Sequence, residues 1–345
     1  MNILITGCCG FIGANFWDYL FKHLNAVGGN HKIIGLDKLT YAGNIDNIDL
    51  STSYLQDGFT HFVTYSHIIK KFFRGDICNK DLVSFILEEY QIDTVANFAA
   101  ETHVDNSIKN STDFLQSNIM GVHNLLECFK NHIEKNKMIS PVFLQISTDE
   151  VYGPAGNEAF FECDKLNPKN PYAATKAAAE HLVMSYRNTY KLPVLITRSS
   201  NNFGPYQHQE KFIPKAITNL TQKKPIGIYG NGKQIRDWLY VKDNCMFITK
   251  ILVKGKFGEI YNIGADNLHK NIDVAKMLIK IYNKLTNSKL DPKKYIEYIS
   301  DRPGHDVKYN INNKKVLSLF EEPVEMLHFN LQLKNTIDWY LRRLS

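Results

Sequence analysis

The sequence predicts an α/β fold in which a doubly wound parallel sheet is followed by a smaller α/β unit. In the first half, short apolar runs alternate with segments of helical period, a pattern typical of parallel strands joined by crossover helices. A glycine-rich turn follows the first of these runs. Beyond Ser199 the segments shorten, and glycine turns at 229–232 and 301–304 interrupt them. The second half is therefore expected to form the smaller unit.

The apolar runs are predicted to be buried parallel strands at 3–5, 32–36, 94–98, 142–146 and 194–197. The segments of helical period between them are predicted to be helices at 14–24, 81–90, 117–132 and 172–190. Each crossover between neighbouring parallel strands should be right-handed. Residues 49–73 have no clear period and are predicted to be irregular.

Charge and cysteine content exclude several classes of protein. The chain has 345 residues, 41 of them basic and 35 acidic, and its net charge of +6 is scattered without a basic run. A nucleic-acid-binding tail is therefore not expected. None of the six cysteines has C-x-x-C spacing, so no metal site is predicted. The chain opens directly into a strand, without a signal peptide or a stretch of membrane-spanning length, which predicts a cytoplasmic protein with free thiols.

The first candidate site is the glycine turn. Gly7, Gly10 and Gly13 follow the first strand and open the first helix. Such a turn lets the backbone approach a pyrophosphate, whose charge the helix N-terminus attracts. Asp37 ends the second strand, where a carboxylate would bind the ribose hydroxyls and repel a 2′-phosphate. This favours NAD over NADP, although the positive charge of the adjacent Lys38 weakens the argument from repulsion. The alternative is a packing turn beside a solvated aspartate.

Two further segments suit a nearby cofactor. Asp76 and Ile77 precede a predicted helix, where Asp76 could cap the helix or bind the adenine amine. Phe98, Ala99 and Ala100 follow the third strand, and the two alanines would let the chain pass close to the cofactor. Each segment could equally be an ordinary tight turn.

Tyr172 and Lys176 lie one helical turn apart, on the same face. A phenol ordinarily titrates at about pH 10. An ammonium group and a positive nicotinamide ring would stabilise the phenolate and make Tyr172 a usable base. About one Y-x-x-x-K is expected by chance in a chain so rich in tyrosine and lysine. The motif alone therefore leaves the question open.

Thr148, Asp149 and Glu150 follow Ser147 directly after a buried strand. Ligands of doubly wound sheets bind at this carboxyl end of the strands. Two adjacent carboxyl groups are costly there unless they are solvated or used. One could then serve as an acid and the other as a base. A capping or turn cluster is the alternative.

Taken together, the motifs T-G-x-x-G-F-I-G, S-T-D-E-V-Y-G and Y-x-x-x-K resemble the extended short-chain dehydrogenases/reductases that act on nucleotide sugars. Within this family the chain is similar to the 4,6-dehydratases. That similarity runs from residue 2 to about residue 310 and is carried by the segments 39–44, 98–105, 199–206, 236–240 and 301–306. The substrate that it implies is dTDP-glucose, with UDP-glucose as the alternative.

The resemblance implies a reaction cycle on one bound NAD. Tyr172 would remove the proton of the sugar 4-hydroxyl while a hydride passes from C4 to NAD. Glu150 would then take the C5 hydrogen, and Asp149 would protonate the departing 6-hydroxyl before the hydride returns to C6. Thr148 would align Tyr172, and Lys176 would also hold the nicotinamide ribose. The product would be a 4-keto-6-deoxy sugar nucleotide.

The resemblance also implies two sets of binding residues. The cofactor set is Gly7, Gly10, Phe11, Ile12, Gly13, Asp37, Lys38, Leu39, Thr40, Asp76, Ile77, Phe98, Ala99, Ala100, Ser117, Tyr172, Lys176 and Asn202. The substrate set is Thr102, Thr148, Asn201, Lys211, Phe212, Gly227, Ile228, Tyr229, Arg236, Asn262, Arg302 and His305.

Within the substrate set, Arg236 suits a diphosphate because a guanidinium group binds phosphate oxygens in a bidentate manner. A salt bridge from Arg236 to Asp237 or Asp243 is the alternative.

These assignments predict the domain organisation. Residues 1–195 are predicted to form an NAD-binding Rossmann domain, to which the chain returns at about 233–265 through the segments 237–243 and 259–263. Residues 196–232 and 266–345 are predicted to form the smaller substrate-binding domain. The family implies a homodimer, for which the helices at 117–132 and 172–190 are the candidate interface.

The chain departs from its family at two places. Cys8 and Cys9 occupy the glycine turn, where small residues are usual, and this predicts sensitivity to oxidation. His208 and Gln209 replace a Phe-Pro pair near the expected substrate contacts, which leaves the nucleotide preference open.

Three rival functions remain. A 4-epimerase of the same family would not need Asp149 and Glu150, where such enzymes usually carry small or apolar residues. A decarboxylase of UDP-glucuronate would need a basic group for the sugar carboxylate, and none is identified. A non-catalytic NAD-binding regulator would often lack Tyr172 or Lys176, and both residues are present.

Overall fold

The computed structural model describes residues 1–48, 54–56, 60–65, 67–301 and 306–344. Its strands, in chain order, are β1 (Asn2–Thr6), β2 (His31–Asp37), β3 (Tyr54–Gln56), β4 (Thr60–Tyr65), β5 (Ile68–Arg74), β6 (Thr94–Asn97), β7 (Val142–Thr148), β8 (Val194–Ser199), β9 (Asn201–Phe203), β10 (Ile226–Tyr229), β11 (Ile235–Tyr240), β12 (Ile260–Ile263), β13 (Leu268–Lys270) and β14 (Ile296–Ile299).

The helices are α1 (Phe11–Val27), α2 (Lys80–Glu89), α3 (Val104–Lys109), α4 (Thr112–Leu115), α5 (Gly121–Asn136), α6 (Pro171–Tyr190), α7 (Phe212–Thr221), α8 (Val241–Lys254), α9 (Asn271–Thr286), α10 (Pro292–Tyr295), α11 (Lys314–Leu317) and α12 (Phe329–Leu344). A π-helical turn, Gln116–Met120, precedes α5, and a 3₁₀ turn, Asp149–Tyr152, follows β7.

The large sheet has the strand order β12-β8-β7-β6-β1-β2-β5-β4-β3. Neighbouring strands from β12 to β5 are parallel, and β4 and β3 extend the sheet in antiparallel orientation. All five predicted strands lie in the parallel part. The predicted doubly wound α/β fold is therefore confirmed.

The prediction that residues 49–73 are irregular is wrong, because β3, β4 and most of β5 lie there. Two consecutive lysines interrupt the apolar pattern of β5, which conceals the strand in the sequence. The structure buries Lys70 and places its ammonium group 3.8 Å from the centre of the Phe21 ring. A long lysine side chain can pack along apolar surface in this way.

Helices cover both faces of the large sheet. On one face α1 packs against α8, with Phe16, Trp17 and Phe247 in a shared core. On the other face α2, α5 and α6 pack side by side, with Leu125 and Val183 in a second core. Because both faces are covered, the parallel strands are almost continuously apolar, as the sequence showed.

The smaller unit has its own core. A three-stranded sheet of order β13-β11-β9 and a pair, β10-β14, pack against α7, α9 and α12 around Trp238 and Leu278. The predicted return to the large sheet is correct for β12, but it is wrong for the strand at 237–240, which belongs to the smaller sheet. The predicted division into two domains stays a prediction.

Among the helices described above, none combines the length and the apolar character that a bilayer crossing requires.

Candidate active site

Three adjoining cavities form one cleft at the carboxyl ends of the parallel strands, facing the smaller unit. The first has a volume of about 90 Å³ and the central one about 250 Å³, and they share Gly7, Gly10 and Phe98. The outer cavity, of about 230 Å³, shares Thr102 and Glu150 with the central one. The cleft therefore runs continuously from the glycine turn into the smaller unit.

The glycine turn needs residues without side chains. Gly7 has a positive φ of 66°, and a Cβ atom built on it would lie 2.6 Å from the backbone nitrogen of Ala99. A Cβ atom on Gly13 would overlap the carbonyl oxygen of Gly7. Gly10 precedes the first turn of α1, whose free N–H groups suit an anion. The turn therefore fits the pyrophosphate of a dinucleotide.

Asp37 lies at the end of β2, beside the first cavity. Its side chain accepts hydrogen bonds from the N–H groups of Cys9 and Leu39, both at 2.8 Å. Burial raises the pKa of this carboxyl group, and the two N–H donors act in the opposite direction. The Lys38 ammonium group pairs with Asp76 at 2.7 Å. Lys38 therefore neutralises a carboxylate of the same cavity, which supports the preference for NAD over NADP.

Asp149 lies in the 3₁₀ turn at the end of β7 and is 3% exposed. Its Oδ1 accepts a hydrogen bond from Thr148 at 3.2 Å, while Oδ2 is buried without a partner in the part of the chain that the structure describes. Burial raises the pKa of Asp149 well above its usual value, and the neighbouring Glu150 charge raises it further. The raised pKa favours the protonated form of Asp149, which is the form that a general acid needs.

Glu150 is the more accessible carboxylate of the pair. It is half-buried and lines both the central and the outer cavity. Its Oε2 accepts a hydrogen bond from the Asn170 side chain at 3.2 Å, and the same side chain caps the start of α6 by accepting from Ala173. Asn170 thus ties Glu150 to the helix that carries Tyr172.

Tyr172 and Lys176 are buried on α6 and line the central cavity. Burial raises the pKa of Tyr172 above its usual value, Glu150 raises it further, and the Thr148 hydroxyl lowers it. Lys176 donates a hydrogen bond to the Ile146 carbonyl at 2.6 Å, and burial lowers its pKa to about 8. A positive ring in the cleft would stabilise the phenolate of Tyr172.

The outer cavity is lined by predicted substrate residues at the start of α7, along β10 and on β11. Arg236 is buried there and donates to the carbonyls of Ile235 and Asp306 at 2.8 and 2.9 Å. Asp237 accepts instead from the N–H groups of Ala265 and Asn267. Arg236 therefore presents a cationic group to this cavity, although part of its hydrogen-bonding capacity is already used.

The structure places nearly all the predicted site residues around this cleft. The first and central cavities are lined by every predicted cofactor residue except Leu39, whose side chain packs against the core. The five predicted catalytic residues all line the central cavity. His208, one of the two residues that replace the Phe-Pro pair of the family, also lines the central cavity. Its ring contacts Tyr41 with 5.5 Å between centroids. Arg302 and His305 lie outside the described residues.

The prediction that Asn262 contacts substrate is wrong. Its side chain is fully buried on β12 and accepts a hydrogen bond from the Tyr152 hydroxyl at 2.8 Å. It also donates to the Phe160 carbonyl at 3.0 Å. These contacts lie behind the 3₁₀ turn, so Asn262 supports this turn and does not line the three cavities of the cleft.

Several residues that line the cleft were not predicted from the sequence, and two of them have a buried polar atom that matters for the site. Asn271 begins α9 and lines the outer cavity, and its buried Oδ1 has no partner in the described ranges. No local signal marks Asn271, because only the tertiary fold brings it to the cleft. Ser147 lines the central cavity, and its buried Oγ is also without a partner within the described chain. Ser147 directly precedes the predicted catalytic residues in the chain, and this position is the signal from which it could have been predicted.

Comparison with known proteins identifies the family. A family described as GDP-mannose 4,6 dehydratase matches residues 4–320. A dTDP-glucose 4,6-dehydratase from Haemophilus influenzae is 40% identical and covers 99% of this chain and 98% of its own. The chain belongs to this 4,6-dehydratase family. The family membership predicted from the sequence motifs is thereby confirmed.

Solved relatives of the 4,6-dehydratase family share the whole fold. DesIV, a dTDP-glucose 4,6-dehydratase from Streptomyces venezuelae solved with NAD, matches with a TM-score of 0.86 at 33% identity and covers 99% of this chain and 97% of its own. A UDP-glucuronic acid 4-epimerase from Bacillus cereus, also solved with NAD, has a TM-score of 0.83 at 26% identity and covers all of both chains. The fold therefore accommodates both reactions, and the site residues must distinguish them.

Proposed function

We propose that this chain is a dTDP-glucose 4,6-dehydratase that works on one bound NAD. The observation that carries the proposal is the pair Asp149 and Glu150, which opens into the same cavity as Tyr172 and Lys176. Asp149 is buried and favours its protonated form, whereas Glu150 is partly exposed. An elimination of water needs such an acid and such a base. Relatives at about 40% identity that carry this name support the proposal.

The first and central cavities fit NAD: the glycine turn would hold its pyrophosphate, and Asp37 would hold its ribose hydroxyls. When bound, it supplies a hydride acceptor for C4 of the sugar and then a hydride donor for C6. Tyr172 accepts the proton of the 4-hydroxyl, and Lys176 stabilises the resulting charge. Thr148 orients the Tyr172 phenol, with which it interacts.

The carboxyl groups then act on the sugar that has become a 4-ketone. The ketone acidifies the neighbouring C5–H bond, and Glu150 takes this proton. Asp149 gives its proton to the 6-hydroxyl oxygen, which leaves as water while a C5–C6 double bond forms. Glu150 then returns its proton to C5, and the hydride that NAD would supply at C6 would complete the 4-keto-6-deoxy sugar. The product therefore equals the substrate minus one water.

The outer cavity provides the nucleotide site. Lys211 and Arg236 offer positive charge to the diphosphate. Phe212 and Tyr229 offer aromatic surface to the base. Asn271 adds an unused carbonyl oxygen that can accept a hydrogen bond from the nucleotide. Thymine and uracil differ there by one methyl group, so UDP-glucose is the alternative substrate.

The test is to incubate the purified protein separately with dTDP-glucose and UDP-glucose, without added cofactor, and to follow product mass. Loss of one water is expected, and more quickly from dTDP-glucose. Water loss without added NAD would mean that the cofactor co-purifies. If neither substrate loses water even with NAD present, the proposal is contradicted.

A 4-epimerase is the second candidate, favoured by the structural match to the Bacillus cereus enzyme. An epimerase inverts C4 by oxidation and reduction and has no use for Asp149 and Glu150. A change in the configuration of C4 without loss of mass would support it in the same experiment.

We further propose a cytoplasmic homodimer. Leu115, Met120 and Tyr190 are about half exposed beside α5 and on α6, and they provide apolar surface for a second copy of these helices. Light scattering should give twice the mass of the chain. A monomer at working concentration would contradict the dimer.

A further inference from the structure

A second cluster of buried polar side chains lies behind the catalytic residues and takes no part in the reaction described above. Arg198 on β8 forms a bidentate ion pair with Glu180 on α6. The Arg198 Nη2 lies 2.6 Å and Nε lies 3.0 Å from Glu180 Oε2, and both side chains are almost completely buried. A fully buried ion pair needs every polar atom satisfied to be tolerated.

Tyr152 joins this ion pair to the catalytic turn. Its hydroxyl accepts a hydrogen bond from Arg198 Nη1 and donates to Asn262 Oδ1 at 2.8 Å. The ring stacks on Phe160 with 4.9 Å between centroids and an interplanar angle of 8°. The Arg198 guanidinium also lies 4.6 Å from the centre of the Tyr152 ring. Tyr152 is therefore fixed both by its ring and by its hydroxyl.

The cluster spans the two elements that supply the reacting groups. Tyr152 is the last residue of the 3₁₀ turn that contains Asp149 and Glu150. On α6, Glu180 follows Lys176 by one turn, on the same buried face. The Glu180 charge opposes the burial that lowers the pKa of Lys176. The ion pair and the phenol thus connect the helix of Tyr172 and Lys176 to the turn of the two carboxyl groups.

We propose that Tyr152 and Arg198 are positioning residues that hold the Asp149–Tyr152 turn against α6 and thereby set the efficiency of water elimination. This inference rests on the proposed dehydratase function. Neither residue lines the described cleft cavities, so each acts through the carboxyl groups and touches neither substrate nor cofactor.

The two halves of the reaction should depend on this cluster to different degrees. Oxidation at C4 needs Tyr172 and NAD, which α6 and the glycine turn hold without the cluster. Elimination also needs Glu150 at C5 and Asp149 at the 6-hydroxyl, and both come from the 3₁₀ turn. A displacement of about 1 Å can cost about 10²-fold in rate. A loosened turn should therefore slow elimination more than oxidation.

The test compares Tyr152→Phe with Tyr261→Phe. The first removes only the hydroxyl that joins Arg198 to Asn262 and keeps the ring on Phe160. The control removes the hydroxyl of Tyr261, a buried residue next to Asn262 in the chain. This hydroxyl accepts a hydrogen bond from the Lys256 N–H at 2.9 Å. Single-turnover experiments with dTDP-glucose would follow water loss by product mass and the reduced cofactor on the protein by its near-ultraviolet absorbance. Thermal unfolding would be recorded for both variants.

In Tyr152→Phe we expect water loss to slow by about 10-fold or more and reduced cofactor to accumulate on the protein. Tyr261→Phe should keep wild-type kinetics even if its thermal stability falls as much. Arg198→Lys keeps the charge facing Glu180 but loses the guanidinium geometry, and it should reproduce the selective defect. This second variant decides the question if Tyr152→Phe does not fold.

Wild-type rates in both Tyr152→Phe and Arg198→Lys would overturn the inference. It would also be overturned by an equal slowing of cofactor reduction and water loss, or by the same defect in Tyr261→Phe. If the wild-type protein itself loses no water from the substrate, the proposed function fails, and the inference fails with it.

Discussion

Two groups of buried charge are joined by the turn Asp149–Tyr152 and differ in how their polar atoms are hydrogen-bonded. Every nitrogen of the Arg198 guanidinium donates to an oxygen, and both oxygens of Glu180 accept. Asp149, in contrast, keeps one oxygen without a partner among the described residues, and its pKa is raised by burial. Buried polar groups are normally hydrogen-bonded, so the exception marks a place where a proton can move. The satisfied pair marks a place where geometry must be kept.

The largest expected effect concerns Asp149, the buried carboxyl group whose Oδ2 has no partner among the described residues. Asp149→Asn keeps the shape of the side chain but removes the acid that we propose protonates the leaving 6-hydroxyl. Turnover should fall by about 10²- to 10⁴-fold in an assay of product mass. Asp81→Asn, an exposed change on α2, is the matched control. Turnover of Asp149→Asn within tenfold of wild type would show that another group is the acid.

The same variant also tests the raised pKa of Asp149, through the pH dependence of the free energy of unfolding. Ionising a buried carboxyl group that has a raised pKa costs the folded state free energy. This cost appears as pH rises above the unfolded pKa of about 4 and grows until pH passes the folded pKa. Asp149→Asn should therefore unfold with less loss of stability between acid and neutral pH than the wild-type protein. Parallel pH dependences of denaturant unfolding would contradict the raised pKa.

The next effect concerns the fully hydrogen-bonded ion pair of Arg198 and Glu180. Glu180→Gln leaves the Arg198 charge buried without its counter-ion and should lower the free energy of unfolding by about 3–5 kcal/mol in chemical denaturation. Arg198→Met combined with Glu180→Leu should lose much less stability, because no charge then remains unpaired. Asp18→Asn breaks an exposed pair with Lys22 and should cost under about 1 kcal/mol. Equal losses in the buried and the exposed variants would contradict the comparison.

The smallest expected change in stability concerns Lys176, which is buried like Arg198 but has a pKa lowered to about 8. A lowered folded pKa means that the charged form is penalised on folding. This penalty is complete below about pH 8 and disappears as pH rises toward the unfolded value, about 10. Lys176→Met should therefore stabilise the cofactor-free protein at pH 7 by on the order of 1 kcal/mol while removing turnover. A loss of stability at pH 7 would contradict the assignment.

The sequence was most informative where structure follows local pattern. The parallel strands, the glycine turn and the motif Thr148–Glu150 were predictable because apolar period, glycine spacing and motif order are all local. β5 escaped prediction because Lys70 and Lys71 interrupt its apolar residues. β11 was assigned to the wrong sheet because sheet membership depends on partners far away in the chain.

The site shows the same division between local and distant information. Tyr172, Lys176, Asp149 and Glu150 belong to short motifs and were found from the sequence. Asn262 was misassigned because its sequence position says nothing about the direction of its side chain, which the fold turns toward Tyr152. The link between Arg198 and Glu180 also joins distant elements, and only the packing of β8 against α6 reveals it.

The most direct test of the dehydratase account is Glu150→Gln in single turnover with dTDP-glucose. The account predicts that C4 oxidation continues, so reduced cofactor accumulates on the protein, while no water is lost because no base removes the C5 proton. Glu158→Gln, an exposed change in the following loop, should turn over normally. Normal water loss by Glu150→Gln would contradict the assignment of the base and the elimination mechanism built on it.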